Sequence, residues 1–249
     1  MTIDKIAALG EKLQQAPNAE AHWDCCAQAF EDLGVTSLGY AVIPMASEVQ
    51  MSGATNAAFF RHTYGKEWER AISSEEVLDY DITTKLLLSG VEEVYWQDDA
   101  TEFGGTEKNK RLWELEQDLG IVWGKTLLLS HHSKNTVSSG IGMHVTAVRS
   151  EAEFEKYWTK HRQQLRVIGE MLNHGMLHEH TDGLVRLTGR EKDYLYWAAM
   201  GLDRIETAHR LGISEHTLNK PIASAKAKLK ARSTSQAVAK AVLLGLIDL

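Results

Sequence analysis

Residues 187–249 decide the architecture of the last third of the chain. They read Leu187-Thr-Gly-Arg-Glu-Lys-Asp-Tyr-Leu195, then Gly201-Leu-Asp-Arg-Ile-Glu-Thr-Ala-His-Arg-Leu-Gly-Ile-Ser-Glu-His-Thr-Leu-Asn-Lys220, then Ala227-Lys-Leu-Lys-Ala-Arg-Ser-Thr-Ser-Gln-Ala-Val-Ala-Lys-Ala241. Thr188 can cap a helix, and Glu191 three residues on completes a capping box, two side chains satisfying each other's exposed amides. That helix stops at Gly201. A second helix spans 203–211. Gly212 supplies a left-handed turn residue, and Ser214 caps a third helix over 215–230. A fourth helix covers 234–246. Two short helices joined by a glycine turn and a cap form a helix-turn-helix.

The third helix has the two faces that reading a duplex requires. Leu218, Ile222, Ala225 and Leu229 form an apolar stripe for a partner helix. Thr217, Asn219, Lys220, Ala223, Lys226 and Lys228 are the candidate DNA-contacting residues, with Lys230 and Arg232 continuing the basic face. An asparagine can bridge adenine N6 and N7, and lysines give sequence-blind phosphate contacts. A solvated basic helix in an ordinary bundle would look similar in charge alone; capping box, glycine turn and second cap together favour the DNA reading.

Charge agrees. The 249 residues carry a net charge of −7, yet residues 182–249 hold eleven Lys/Arg against seven Asp/Glu, and the remainder sixteen against twenty-seven. A basic module on an acidic body suits a DNA-binding unit attached to a regulatory one. No apolar run is long enough to span a bilayer and no signal peptide is read. Adjacent Cys25 and Cys26 suit a reduced, cytoplasmic setting. Glu170, His174 and His178 recur every four residues, but no further cluster completes a metal site. No nucleophile elbow, phosphate loop or dinucleotide loop occurs, so no cofactor and no catalysis are expected.

The first region mixes periods. Helices are expected over 3–13, 21–33 (ended by Gly34), 56–73, 82–88, 108–119 (ended by Gly120) and 150–178. Strands are expected over 38–43, closed by Pro44, and over 93–96, 124–130 and 136–146, the last two joined by a polar turn at 132–135. The fold class is therefore α+β: an N-terminal α-β-α sandwich with an antiparallel sheet, plus a C-terminal all-α helix-turn-helix domain. The domains are read as 1–177, a linker at 178–185, and 186–249.

With those residues in place, the C-terminal segment resembles the DNA-binding domain of LuxR-type transcription factors. The matching residues are Leu187-Thr188, Arg190-Glu191, Gly201, Glu206, Ala208, Leu211-Gly-Ile-Ser214, Thr217, Lys228-Leu229, Arg232, Gln236-Ala237 and Leu244-Gly-Leu-Ile247. Two residues depart from it. Pro221 stands inside the third helix, implying a kink or a later start. Thr207 replaces the usual isoleucine before Ala208, implying weaker packing.

The first region resembles the autoinducer-binding domain of the acyl-homoserine lactone receptors in that family. Tyr64 and Trp68 are read as one helix face, Asp81 follows within Tyr80-Asp-Ile, Trp96 falls at a second pocket tryptophan, and Gly120-Ile-Val-Trp-Gly124 matches a glycine-flanked segment. The resemblance implies that Trp68 donates to a lactone carbonyl, Asp81 accepts from the ligand amide and Tyr64 donates to the amide carbonyl. A core pair at Tyr64 and Trp68, with Asp81 as an N-cap, is the plainer alternative. Ile72 stands where a second tyrosine is usual. Ser139 is the chosen polar residue of the strand 136–146, where a one-residue slip would exchange the two faces. Taken together, the resemblance implies a homodimeric regulator with DNA and a small autoinducer as partners, and no membrane. Ala237, Ala241 and Leu244 are the candidate dimer seam. A signal-independent regulator, or a weak DNA binder acting through heterodimers, is the alternative.

Overall fold

The computed structural model describes residues 3–45, 59–73, 82–97, 107–130, 136–179, 185–247 and 249. The chain divides into two compact units, 1–174 and 175–249.

In the first unit, α1 (Ile3–Gln14) and α2 (Ala19–Glu31) precede β1 (Ser37–Met45) and β2 (Phe59–His62). Then come α3 (Lys66–Ser73), α4 (Ile82–Leu88), β3 (Glu93–Tyr95), α5 (Glu107–Asp118), β4 (Gly124–Ser130), β5 (Thr136–His144) and the long α6 (Glu151–His174). The five strands form an antiparallel sheet in the order β2-β1-β5-β4-β3. Two expectations change here. Residues 56–73 are not one helix: Phe59–His62 pairs with Gly39–Val42. Consecutive aromatics suit a pleated surface, and pairing outweighs their helical spacing. Nor does β1 close at Pro44, which pairs with Val137. Among the described residues β2 reaches only Val42, so Pro44 has a neighbour strand on one side, where proline is tolerated.

Period-two alternation divides the sheet into two faces. Tyr40, Leu127 and Ile141 turn toward α6: the Tyr40 hydroxyl donates to Asn173 Oδ1 at 2.8 Å, and Ile141 lies beside Gly169. Phe30, Phe154, Leu165, Ile168 and Leu172 are fully buried on this side. Each such side chain contributes roughly 1.5–3 kcal/mol by leaving water. A charged clasp closes the β3 end of this face. Glu93 accepts from Trp158 Nε1 at 2.9 Å and Arg162 Nε at 2.8 Å, and Lys125 Nζ reaches Glu93 at 3.3 Å and Glu155 at 3.0 Å. The opposite face carries Gly39, Gly140, Gly142 and Thr126, with α4 laid on it through Leu87.

The second unit opens with a π turn (Gly175–Glu179), followed by α7 (Gly189–Ala199), α8 (Arg204–Arg210), α9 (Glu215–Lys228) and α10 (Thr234–Leu243). Every one of these four helices has a capped start. Thr188–Glu191 and Asp203–Glu206 are reciprocal capping boxes, and Ser214 and Ser233 accept from the amides of Thr217 and Gln236. Each cap satisfies amides that the helix itself leaves unpaired. Ala237, Ala241 and Leu244 are buried within the single chain, where α10 packs against α7. They are core, so the expected dimer seam is corrected. Small residues at helical spacing served to bring two helices of one bundle together.

Candidate functional site

The glycine-bearing face of the sheet gathers the first set of sequence-predicted residues. Gly39 and Gly142 are directly paired across β1 and β5. A methyl group on Gly39 would lie 3.0 Å from Phe60 and 3.1 Å from Tyr64; on Gly142 it would lie 3.2 Å from Trp96. On Gly124 it would lie 2.2 Å from the Trp96 ring. The absence of side chains on these strands is thus what lets aromatic rings lie flat on the backbone. Trp96 Nε1 donates to Thr126 Oγ1 at 2.8 Å, which fixes the indole over the floor.

At the other end, Phe60, His62, Tyr64 and Trp68 form one ring cluster. Tyr64 and Trp68 centroids are 4.4 Å apart, and His62 meets Trp68 edge-on at 5.1 Å. Tyr64 lies in the loop before α3, not on the helix with Trp68, because residues 59–62 are strand. The two rings nevertheless meet. Burial, with help from the Glu116 carboxylate, pushes the Tyr64 phenol well above its ordinary range, so it acts as a neutral hydroxyl. Trp68 Nε1 is not open: it donates to Glu116 Oε1 of α5 at 3.2 Å. Sequence reading missed Glu116 because its partner lies 48 residues earlier and nothing local marks it.

Ser139 turns to the other face. Its hydroxyl donates to Asn173 Oδ1 at 2.6 Å and lies 2.7 Å from Ser130 Oγ. The expectation for Ser139 therefore passes to Ser138, which shares the glycine face and is 2% exposed. Among the described residues its Oγ has no hydrogen-bond partner. His144, at the end of the same strand, stacks with Trp96 at 6.5 Å. Burial pushes its pKa down against the opposing effect of the Gly120 backbone, which keeps the ring neutral. Asp81 falls outside the described residues, and Ile72 is placed on α3 by its backbone alone.

The second set lies on α8 and α9. Gly212 takes a left-handed φ of 63°, as the turn requires. α9 begins at Glu215 and runs through Pro221 without a later start. Proline has no amide to offer the Thr217 carbonyl, so one rung of the ladder is lost. Leu218, Ala225 and Leu229 are buried; Thr217, Asn219, Lys220 and Ala223 are exposed, and Lys226 is half-buried. The Thr217 hydroxyl lies 2.7 Å from Ser214 Oγ, and Asn219 Oδ1 accepts from Arg204 of α8. Lys228 is partly committed inward: its ammonium donates to Glu191 Oε2 of α7 at 2.8 Å. Burial alone would raise the Glu191 pKa, but hydrogen bonds from Lys228, Ser224 and the Thr188 amide outweigh it and hold the carboxyl below its ordinary range.

Lys240 is a residue that sequence reading left in the dimer seam's helix without a role. It is 4% exposed, and its ammonium donates to the Leu229 and Lys230 carbonyls at 2.9 and 2.8 Å. It thereby closes the C-terminal end of α9, next to Lys230 in the left-handed region at φ 48°. Burial and the Lys230 charge push its pKa down to about 8.

Comparison with known proteins gives two family matches. Residues 18–174 match the autoinducer binding domain, and residues 185–241 match the bacterial regulatory proteins of the luxR family. The transcriptional activator protein AnoR of Acinetobacter nosocomialis is 22% identical over 224 residues, covering 85% of this chain and 88% of AnoR. Among solved structures, Escherichia coli SdiA aligns over 99% of both chains with a TM-score of 0.54 and 20% identity. CepR2 of Burkholderia cenocepacia aligns over 72% of this chain and 94% of its own, with a TM-score of 0.52 and 17% identity. These structures share the fold. Among the described residues, no helix is long and apolar enough to cross a membrane.

Proposed function

Because the chain belongs to the luxR family of bacterial regulators and carries that family's autoinducer binding domain, we propose that a small acyl signal, of the acyl-homoserine lactone kind, binds on the Gly39/Gly142 face and controls DNA binding. The supporting observation is the glycine floor on which Phe60, Tyr64 and Trp96 lie, with Trp68 packed on Tyr64 and, among the described residues, an unpartnered Ser138 hydroxyl on the same face. A mostly apolar site with a few convergent polar groups is how proteins hold such molecules. Tyr64, Trp68, Trp96 and Ser138 are the proposed contacts, joined by Asp81 and Ile72; Thr217, Asn219, Lys220, Ala223, Lys226 and Lys228 are proposed to meet DNA. The sensing part is assigned to 1–177, the linker to 178–185 and the DNA-binding part to 186–249.

A ligand that binds only the folded chain stabilises it, by about 2.7 kcal/mol at a hundredfold excess over Kd. That gain raises the fraction of chain competent to form a homodimer and place two α9 helices one duplex turn apart. On this reading the protein is cytoplasmic, works without cofactor or metal, and catalyses nothing. A signal-independent regulator is not favoured, given the autoinducer-domain match over residues 18–174. The test is mass spectrometry of small molecules carried by the purified chain, joined to promoter retardation with and without N-octanoyl-homoserine lactone or the recovered compound. Ligand should strengthen retardation, and Trp68→Phe and Trp96→Phe should each blunt the response. A ligand-free chain that binds DNA as well as the loaded one, unaffected by either change, would overturn the reading.

A further inference from the structure

We propose that Arg204 sets which base Asn219 reads: with its oxygen held by that guanidinium, the Asn219 amide offers N–H donors to a base edge and selects guanine, where an unrestrained asparagine would select adenine. The inference rests on the DNA-reading role proposed above for α9 and refines it. Arg204 is the first residue of α8, and Glu215 and Asn219 stand one turn apart at the start of α9. The guanidinium spans both. Its Nε reaches Glu215 Oε1 at 3.4 Å, and its Nη2 donates to Asn219 Oδ1. A guanidinium carries five N–H donors and no acceptor, so the amide has only its oxygen to turn toward it. The pair is exposed and adds little to stability; its effect is on which way the amide points.

Bidentate reading of adenine needs both amide groups at once, Oδ1 accepting from N6 and Nδ2 donating to N7. Here Oδ1 already accepts from Arg204, and a bond to a charged donor is stronger than one to a neutral base amine. The donors on Nδ2 remain for the base. Guanine presents two acceptors side by side, N7 and O6; adenine pairs its one acceptor with a donor, and cytosine offers only the N4 donor. A donor-only amide therefore ranks guanine first and cytosine last. The adenine expectation for Asn219 came from the residue type alone. Arg204, fifteen residues earlier in the chain, reverses it.

The experiment selects bound duplexes from a randomised pool, using the full chain with and without N-octanoyl-homoserine lactone. The wild type should enrich a site with one position where guanine exceeds adenine about tenfold, the discrimination of a good base contact, and Asn219→Ala should flatten that position. Arg204→Ala releases the amide oxygen and should move the same position about tenfold toward adenine. Asn219→Asp keeps an oxygen for Arg204 but offers the base acceptors only, so it should turn the preference to cytosine. A change that merely loosened α8 against α9 would weaken every site alike and leave the base preference as it was. If Arg204→Ala binds too weakly for selection, Asn219→Asp decides: cytosine supports the proposal and any other base overturns it. Adenine at the Asn219-dependent position of the wild type, a guanine preference that survives Asn219→Ala, or one that Arg204→Ala leaves in place overturns the proposal while leaving the DNA-reading role standing. If no duplex is enriched in either condition, both fall.

Discussion

The two units reach order by opposite routes. In the second, each helix start is settled within three residues: Thr188 with Glu191, Asp203 with Glu206, Ser214 with Thr217, Ser233 with Gln236. In the first, the candidate site is made of partners far apart in sequence. Trp96 and Thr126 are 30 residues apart, Trp68 and Glu116 are 48, and Gly39 meets Gly142 across the sheet. The helix starts of the second unit are therefore held by what their own segments carry. The sheet face is held by what β1, β4 and β5 leave out, namely side chains. A substitution that adds one carbon to the floor should cost more than one that trims a cap.

Gly124→Ala presses that difference hardest. The new methyl would lie 2.2 Å from the Trp96 ring, so the indole must leave its place and its 2.8 Å bond to Thr126. Overpacking of this kind costs about 3 kcal/mol. The melting temperature should fall and the emission of Trp96 should shift as its environment changes, read against a Trp96→Phe background. An unchanged melting curve would mean that the floor is looser than the packing shows.

The same asymmetry explains what could be read before the structure. The helix-turn-helix was legible residue by residue, because caps and a left-handed glycine act over three or four positions. Gly212 and the Thr188–Glu191 box stand as expected. The sheet's five strands were only partly legible. Phe59 and Phe60 have helical spacing with Tyr64 and Trp68, and only pairing with β1 makes 59–62 a strand. The choice between Ser138 and Ser139 needed the pairing register of β5 with β1 and β4, which no local pattern supplies. Glu116 and Lys240 were invisible for the same reason: their roles come from partners brought in by the fold. The dimer seam failed differently, since a buried small-residue stripe looks the same whether it faces its own chain or a copy.

Glu191 tests the local side of the comparison. It holds the Thr188 amide at 2.7 Å and the Lys228 ammonium at 2.8 Å, and its side chain is 4% exposed. Glu191→Ala removes the reciprocal half of one cap and leaves a lysine without its anion, a loss of about 2 kcal/mol. The pH dependence has a definite sign. The folded carboxyl lies below its unfolded value, so the folded state binds fewer protons there. Its stabilising contribution is complete above about pH 4.5 and is lost as pH falls through the folded pKa. The denaturant midpoint of the wild type should drop across that window, and the alanine variant should show a shallower drop. Equal slopes would remove Glu191 from the acid sensitivity.

The smallest expected change runs the other way. Thr207 is fully buried in α8, and among the described residues its hydroxyl has no hydrogen-bond partner. A buried hydroxyl without a partner carries its desolvation cost uncompensated. Thr207→Val keeps the branched shape, exchanges that hydroxyl for a methyl and should stabilise the chain by about 1 kcal/mol. The gain should appear as a higher denaturant midpoint with an unchanged slope, since the surface exposed on unfolding is nearly the same. DNA retardation at saturating protein should not change, because Thr207 is buried and cannot reach a duplex. A lower midpoint would show that the hydroxyl is satisfied in solution. The second unit would then owe part of its order to a buried polar contact, and the contrast with the sheet face would narrow.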